Sequence, residues 1–561
     1  MPVNHPGSKQ VFDAIVVGSG ATGGWAAKEL TEAGLRVALV EAGRMLYPEK
    51  DFTEHVIPYQ VRYHGFSPIP AKTRPIQVRC YACMEYNYDW FVNDFENPYV
   101  QVEGKPVNWF RLRILGGRSL VWGRQCYRFS DLDFKAASHD GYGEDWPISY
   151  AELAPYYDKA ERFVGVTGAR EGVPQLPDGQ FLPPMHMTCG ELLLRKAVKE
   201  KWGRTITIGR SANLTAPVNG RAPCHYCGPC ERGCMTHSYF NSPTTTIAAA
   251  QATGRLTLLT DSVVSHVVMD MNSNKASGIR YVDRVTRVTR ELRGKAVILC
   301  AQSLESVRIL LNSANRQYPN GLANSSGVLG HYLMDHVTGF GASGAMPMLE
   351  TRPWAGPPRR PNGIYAIRFR NVTDRDKNFI RGFGYQGGSS PEFAYDAEGF
   401  GKEYKQRVKQ GNWGIGLGGF GECLARWDNY CELDKNVSDA WGVPALRIVA
   451  SYGENEYKMG HNIAISAAEM LEAAGAKDVQ MHEHMNPFGH AIHEVGVARM
   501  GSDPKKSVLN KYCQSHDVKN LFVMDGSSFV SSGCQNPTLT MMAILCHGCD
   551  YLISQARKGQ I

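Results

Sequence analysis

Four cysteines fall within eleven residues, Cys224, Cys227, Cys230 and Cys234, in the segment PCHYCGPCERGCMTHS. Their spacing, C-x2-C-x2-C-x3-C, is the run by which bacterial ferredoxins hold iron–sulfur clusters. That run normally continues into proline, whereas here Met235 follows, and the chain has no second such run. Three readings stay open: a cuboidal cluster on three or four of these thiols, a zinc site, or a loop of reduced or disulfide-linked cysteines. Zinc usually takes two C-x2-C pairs separated by a longer loop, so iron–sulfur chemistry is the favoured reading.

A second group suits dinucleotide binding. Gly18, Gly20 and Gly23, in Gly18-Ser-Gly-Ala21-Thr22-Gly23, have the spacing G-x-G-x-x-G. The first glycine permits a tight turn, the second a close approach to a pyrophosphate, and the third close packing of helix on strand. Glu41 stands where a carboxylate would accept hydrogen bonds from a ribose diol.

These residues work only if elements position them. Phe12 to Val17 predicts a buried parallel strand, Gly24 to Ala33 a helix stopped by Gly34, and Arg36 to Val40 a second strand ending at Glu41. The helix N-terminus would offer free N–H groups and its dipole to a phosphate. The motif alone does not separate FAD from NAD. Three further features favour FAD. The site opens the chain, with Glu41 running into Ala42-Gly43-Arg44. A Gly-rich segment, Ile114 to Gly123, lies downstream. A late strand, Asn520 to Asp525, leads through Gly526 into a small-residue turn and a helix.

The chain's 561 residues are too many for one hydrophobic core. Its net charge of +7 is dispersed, which points away from a nucleic-acid partner. No stretch approaches the roughly 18 apolar residues of a membrane helix. No apolar h-region precedes the first strand, so an ordinary signal peptide is not expected. Fifteen irregularly spaced cysteines do not read as a disulfide framework. Of two further C-x-x-C pairs, Cys546/Cys549 falls in a helical-looking segment and reads as packing, and Cys80/Cys83 has no assigned role. Val263 to Cys300 alternates short β-type runs around a polar turn at Asn272 to Lys275, as in a β-meander.

Together these features resemble the glucose–methanol–choline (GMC) family of FAD oxidoreductases over nearly the whole chain. Gly18, Gly20, Gly23 and Glu41 match the family's ADP-binding motif, with Ala21, Thr22, Ala42, Gly43 and Arg44 beside them. Gly116-Gly117-Arg118-Ser119 matches a loop that contacts the flavin. Val297 to Gln302, including Ala301, matches a later strand passing the FAD. Asp525-Gly526 matches the motif near the ribityl and pyrophosphate, and Asn536-Pro537-Thr538 the entry to the final helix. The common family loop has Asn-Gly where this chain has Trp122-Gly123. Pyranose oxidases are similar there but carry a histidine that bonds FAD covalently. Val121 takes that position, so the resemblance implies a non-covalent flavin.

The resemblance also implies the catalytic residues. His493 fits the family's H-x-x-G followed by M-G, with Gly496 and Met500-Gly501, and Asn536 before Pro537 fits its partner. An imidazole that is neutral near pH 7 suits proton removal from an alcohol, and an amide can orient the substrate oxygen. His482, His484 and His490 read as core or loop residues; a metal site on these histidines lacks the H-x-x-x-H or H-E-x-x-H spacing.

The implied fold is α/β: a Rossmann-like FAD-binding domain with an α+β substrate domain on an antiparallel sheet. The FAD-binding domain would comprise residues 1–135, 225–335 and 490–561, carrying the cysteine loop 224–234. The substrate domain would comprise 136–224 and 336–489. Its Trp354 to Pro358 and Gly382 to Gly388 segments read either as sheet floor and sugar-stacking walls or, equally, as ordinary sheet core, with no substrate ligand assigned there. The implied activity is oxidation of a ring hydroxyl of a pyranose or glycoside, as in bacterial glucoside 3-dehydrogenase or the gluconate 2-dehydrogenase large subunit. Electrons would leave through a 3Fe–4S or 4Fe–4S cluster to a cytochrome c. A small twin-arginine partner subunit would carry the chain to the periplasm, with a cytoplasmic location as the alternative. The rival activities are a pyranose oxidase making hydrogen peroxide and a zinc-stabilised non-catalytic subunit.

Overall fold

The computed structural model describes residues 10–57, 60, 68–349, 360–373, 375–392, 399–410 and 412–561. The Trp354 to Pro358 segment lies outside them.

The apolar run after Gln10 forms β1 (Val11–Val17), and helix α1 (Ala21–Glu32) and β2 (Val37–Val40) follow it. Residues Ala14 to Val16 and Val37 to Val40 are fully buried, as expected of strands covered on both faces. Further along the chain come β3 (Leu256–Leu259), β4 (Ser262–Asp270), β5 (Lys275–Asp283), β6 (Thr289–Leu299) and helix α2 (Ser303–Asn312). The sheet order is β3-β2-β1-β6-β5-β4. Its β1, β2, β3 and β6 run parallel, while β4, β5 and β6 form an antiparallel meander. The first half of β6 pairs with β5, and its last residues pair with the short parallel strand Leu521–Val523. Two sequence-distant segments thus converge beside the glycine loop.

A second sheet is antiparallel throughout. It contains β7 (Phe340–Ala345), β8 (Ile364–Ala366), β9 (Phe383–Glu392), β10 (Asn412–Gly421) and β11 (Lys477–Glu483), in the order β11-β7-β10-β9-β8, with Ile206–Ile208 at the edge beyond β8. Helix α3 (Glu454–Ala473) covers one face. Its buried Met459, Gly460, Ile463, Ala467 and Leu471 recur at helical spacing and pack with Ile415, Leu417, Phe383 and Tyr385. The other face is left for a ligand. Helix α4 (Thr538–Arg557) packs against α1, with Cys546 and Cys549 wholly buried, as the helical reading expects. Among the described residues, no helix is long and apolar enough to cross a membrane.

Candidate active site

The glycine loop is built as the spacing requires. Gly18 adopts φ +94°, a left-handed conformation that a side chain strains. A Cβ at Gly23 would stand 1.8 Å from the Gly18 carbonyl oxygen, so only glycine lets α1 start so close to β1. At Gly20 a Cβ would meet nothing, because the backbone there faces a cavity of about 390 Å³.

Most of the expected cofactor residues line that cavity: Gly18, Gly20, Ala21, Thr22, Glu41, Ala42, Gly117, Ser119, Trp122, Ala301, Asp525, Gly526, Asn536, Pro537 and Thr538. Gly23, Gly43, Arg44 and Gly116 stand behind the wall. Arg44 is engaged with Asp51 at 2.8 Å and Asp89 at 3.0 Å. Glu41 is buried and accepts from Ser19 N at 3.2 Å, Ser19 Oγ at 2.5 Å and Gly43 N at 2.7 Å. Burial holds its carboxyl above the usual range, while these donors pull it down. Ser19 Oγ also accepts from Gly116 N at 2.8 Å, tying the second Gly-rich loop to the first. Asp525 accepts from Ser306 Oγ at 2.5 Å and Ser527 Oγ at 2.6 Å.

The cavity fits an FAD on three counts. Its dinucleotide end has a side-chain-free cradle at Gly20 with α1 aimed into it. Glu41 sits at the ribose position. Two buried polar atoms of lining residues, Gln302 Nε2 and Glu494 Oε1, have no partner in the protein.

The catalytic end is a directed chain of hydrogen bonds. His336 is fully buried, and its Nε2 lies 2.9 Å from the Gly533 carbonyl oxygen. A carbonyl only accepts, so Nε2 carries the proton. Burial pulls the His336 pKa down to about 4, so the ring is neutral and its Nδ1 is a bare acceptor. His493 Nδ1, 2.9 Å away, must therefore be the donor. The pKa of His493 is also held well below its usual value, by burial, by His336 and by Arg118. Its Nε2 is consequently a bare acceptor at the cavity. Asn536 Nδ2 approaches that nitrogen at 3.3 Å, and Gln386 Nε2 donates to Asn536 Oδ1 at 2.7 Å. The two expected residues, His493 and Asn536, are brought together; His336 and Gln386 complete the chain.

The loop carrying His493 is held under strain. Ile492 and Val497 have φ of +65° and +66°, uncommon for β-branched residues. Asp335 clamps the loop, accepting from Ala491 N and His493 N at 3.1 Å each. Burial, with Glu494 nearby, pushes the Asp335 pKa up to about 7. Arg118 reaches Glu494 at 2.7 Å and the Ile492 carbonyl at 3.3 Å. His482 and His484 are exposed, and His490 meets Asn108 at 3.3 Å outside the chain.

The cysteine loop lies off the cavity wall. Cys227 is exposed, Cys224 half-buried, and Cys230 and Cys234 buried beside Tyr239. Among the described residues, no three His, Cys, Asp or Glu side chains are gathered to hold a metal ion, so the thiols as placed here do not form a ligand set. Two cavity residues, Tyr81 and Arg124, are neighbours of Cys230, and Trp122 Nε1 donates to the Phe240 carbonyl at 2.9 Å behind that loop. Cys80 also lines the cavity. Burial pushes its thiol up to about 11 and that of Cys83 to about 12, so both stay protonated at neutral pH.

Sequence reasoning missed His336, Asp335, Gln386 and Phe420. The adjacent Asp335 and His336 interrupt the apolar stretch from Tyr332 to Val337, a weak signal of a buried polar site. Nothing in the glycine-rich FGYQGGSS sequence marks Gln386.

Comparison with known proteins places the chain in a family. The N-terminal module of the GMC oxidoreductases matches residues 12–338, and their C-terminal module residues 425–544. The chain is 30% identical to 2-methyl-1,2-propanediol dehydrogenase of Mycolicibacterium austroafricanum, over 96% of this chain and 95% of that one. It is 27% identical to the fructose dehydrogenase large subunit of Gluconobacter japonicus, over 98% of each. The crystal structure of pyridoxine 4-oxidase from Mesorbium loti shares the fold, with TM-score 0.57 and 17% identity over 96% of this chain and 98% of that one. The chain belongs to the GMC oxidoreductases, FAD-dependent enzymes that act on CH–OH groups.

Proposed function

We propose that the protein is a sugar dehydrogenase that oxidises a ring hydroxyl of a pyranose or glycoside. The observation that carries this reading is the directed chain from Gly533 to Gln386, which leaves the Nε2 lone pair of His493 facing the cavity. His493 Nε2 takes the hydroxyl proton, and the Nδ1–H bond to His336 holds the ring while it does so. Asn536 has a second N–H with which to hold the substrate oxygen. Phe420, on the open face of the second sheet, gives an apolar wall. FAD, when bound non-covalently, supplies acceptance of the hydride from the same carbon. A dehydrogenase, rather than an oxidase, is supported by the two relatives above, each named a dehydrogenase.

The direct test is anaerobic mixing with glucose, methyl α-D-glucopyranoside, cellobiose and sucrose. Bleaching of the flavin by at least one sugar is expected, and NMR of the product identifies the oxidised carbon. Bleaching by small diols but by none of the sugars would overturn the sugar reading.

The same reading takes the discontinuous division, 1–135, 225–335 and 490–561 against 136–224 and 336–489, as cofactor and substrate units. It assigns Cys224, Cys227, Cys230 and Cys234 to an iron–sulfur cluster serving as electron exit to a cytochrome-type acceptor. The support is their spacing and the nearness of Cys230 to Tyr81 and Arg124 at the cavity. Iron and sulfide in the purified protein, with an EPR signal lost in Cys230→Ser, are expected. Protein that oxidises sugar without iron would remove the cluster and leave the oxidation reading standing. A small export subunit and periplasmic delivery belong to the same proposal, supported by the relative that is itself named a large subunit.

A further inference from the structure

Gln386 lies on β9, where side chains alternate between the two faces of the sheet. Its neighbour Tyr385 is fully buried under α3, with its hydroxyl on the Ile463 carbonyl at 2.8 Å. Gln386 therefore points the other way, into the cofactor cavity. On that face it is flanked by Gly384 and Gly388, and it pairs across to Gly418. Tyr365 faces it from the strand on the other side, with its hydroxyl where a Cβ at Gly384 would stand, while the space over Gly418 is left open.

The polarity of the hydrogen-bond chain settles how that amide is turned. His493 Nε2 is an acceptor, so Asn536 must offer it Nδ2 and turn Oδ1 toward Gln386. Gln386 must in turn offer Nε2, which leaves its Oε1 as the unused acceptor of the amide. No described residue donates to that oxygen. A half-buried amide with an unused acceptor, fixed one hydrogen bond from the reacting pair, is a binding group for a substrate donor.

We propose that Gln386 is a specificity-determining residue. Its Nε2 positions Asn536, and its Oε1 accepts a hydrogen bond from the substrate hydroxyl on the carbon next to the one oxidised. The site is then a reader of vicinal diols, and a lone alcohol binds without its second contact. This rests on the sugar-oxidation reading above and adds which part of the sugar is recognised. The neighbour is specified because Oε1 and Nε2 belong to one amide. In this proposal the hydroxyl held by His493 and Asn536 and the one held by Oε1 sit on adjacent carbons.

The experiment uses the flavin-loaded enzyme with methyl α-D-glucopyranoside and its 2-deoxy and 4-deoxy analogues. The wild type is expected to favour the parent over at least one analogue by about 10- to 100-fold in kcat/KM. In Gln386→Leu that preference falls to within about 3-fold, with kcat lowered on every substrate as well because Asn536 loses its donor, and with flavin content unchanged. Gln386→Glu separates the two roles and matches the shape of the native side chain. A carboxylate still accepts from the diol but cannot donate to Asn536 Oδ1. Asn536 then turns its oxygen to His493 and favours the protonated ring. The expected result is a kcat lowered about 100-fold on every substrate, a preserved preference, and an acid limb moved to higher pH. A preference that survives in Gln386→Leu, or an unchanged kcat and pH profile in Gln386→Glu, would overturn the inference alone. Failure of the wild type on all three glycosides removes the sugar reading, and this inference with it.

Discussion

His336 touches neither the cavity nor any substrate position, yet it decides what His493 can do. With its own Nε2–H fixed on Gly533, it demands the proton of His493 Nδ1 and so frees Nε2. His336→Phe removes that demand and lets the ring of His493 turn or change tautomer. A kcat about 10- to 100-fold lower at unchanged flavin content is expected, with partial rescue in His336→Gln, whose amide oxygen can accept from Nδ1. The same residue has a pH signature. Its native pKa, about 4, lies below the ordinary value of 6.5, so between these pH values the unfolded chain holds the extra proton. The contribution of His336 to stability is complete above pH 6.5 and is lost as pH falls toward 4. Thermal unfolding of wild type and His336→Phe should diverge by roughly 1.4 kcal/mol per pH unit as pH rises through that window, then run parallel. Parallel curves throughout would show that the ring is not kept neutral. Asp335, raised to about 7, carries the opposite slope in both proteins, so it cancels from the difference.

At the scale of elements, the β1–α1 turn assigns different work to glycines three residues apart. Gly20→Ala places its methyl in open space, so the fold should persist while the methyl crowds the approach to the pyrophosphate. Weakened FAD retention with a near-normal apo-protein melting temperature is the expected outcome. Gly23→Ala drives its methyl into the Gly18 carbonyl and should yield little soluble protein. Equal retention of FAD by both variants would contradict this division. This turn was legible in the sequence because all its parts lie within one β-α-β unit. The predicted strand over 12–17 is found at Val11–Val17, and the helix over 24–33 starts earlier, at Ala21. The meander was legible for the same reason, its polar turn at Asn272 to Lys275 marking the join of β4 and β5. Gln386 was not. Its strand reads as Phe-Gly-Tyr-Gln-Gly-Gly, in which glycines that leave room for a ligand are indistinguishable from turn residues. His336 was hidden for a related reason: its partners, Gly533 and His493, lie far away in sequence. His493 and Asn536 themselves were found through family likeness, since neither spacing nor composition sets them apart from other histidines and asparagines in the chain.

At the scale of the molecule, the cavity draws its walls from segments separated along the chain, among them Gly18, Gly117, Ala301, His493 and Asp525. A ligand that touches all of them binds only the assembled form and stabilises it by mass action. The FAD-free protein should therefore melt below the holoenzyme, and adding FAD to about 100 times its Kd should restore about 2.7 kcal/mol. A melting temperature indifferent to FAD would place the cofactor elsewhere.

The position of β1 inside its sheet has a consequence for biosynthesis. One edge of β1 pairs with β2, but the other waits for β6, and the strand beyond β6 comes only at Leu521–Val523. At usual translation rates, residues near 525 leave the ribosome on the order of a minute after Gly18. For that interval the nascent chain carries an apolar strand with a vacant edge and a nucleotide cradle with one side missing. Cofactor loading is therefore a late event, possible only once Leu521–Val523 has joined the sheet. The young chain is an obvious client for holding chaperones, and its yield in a foreign host should depend on chaperone supply and flavin supply together.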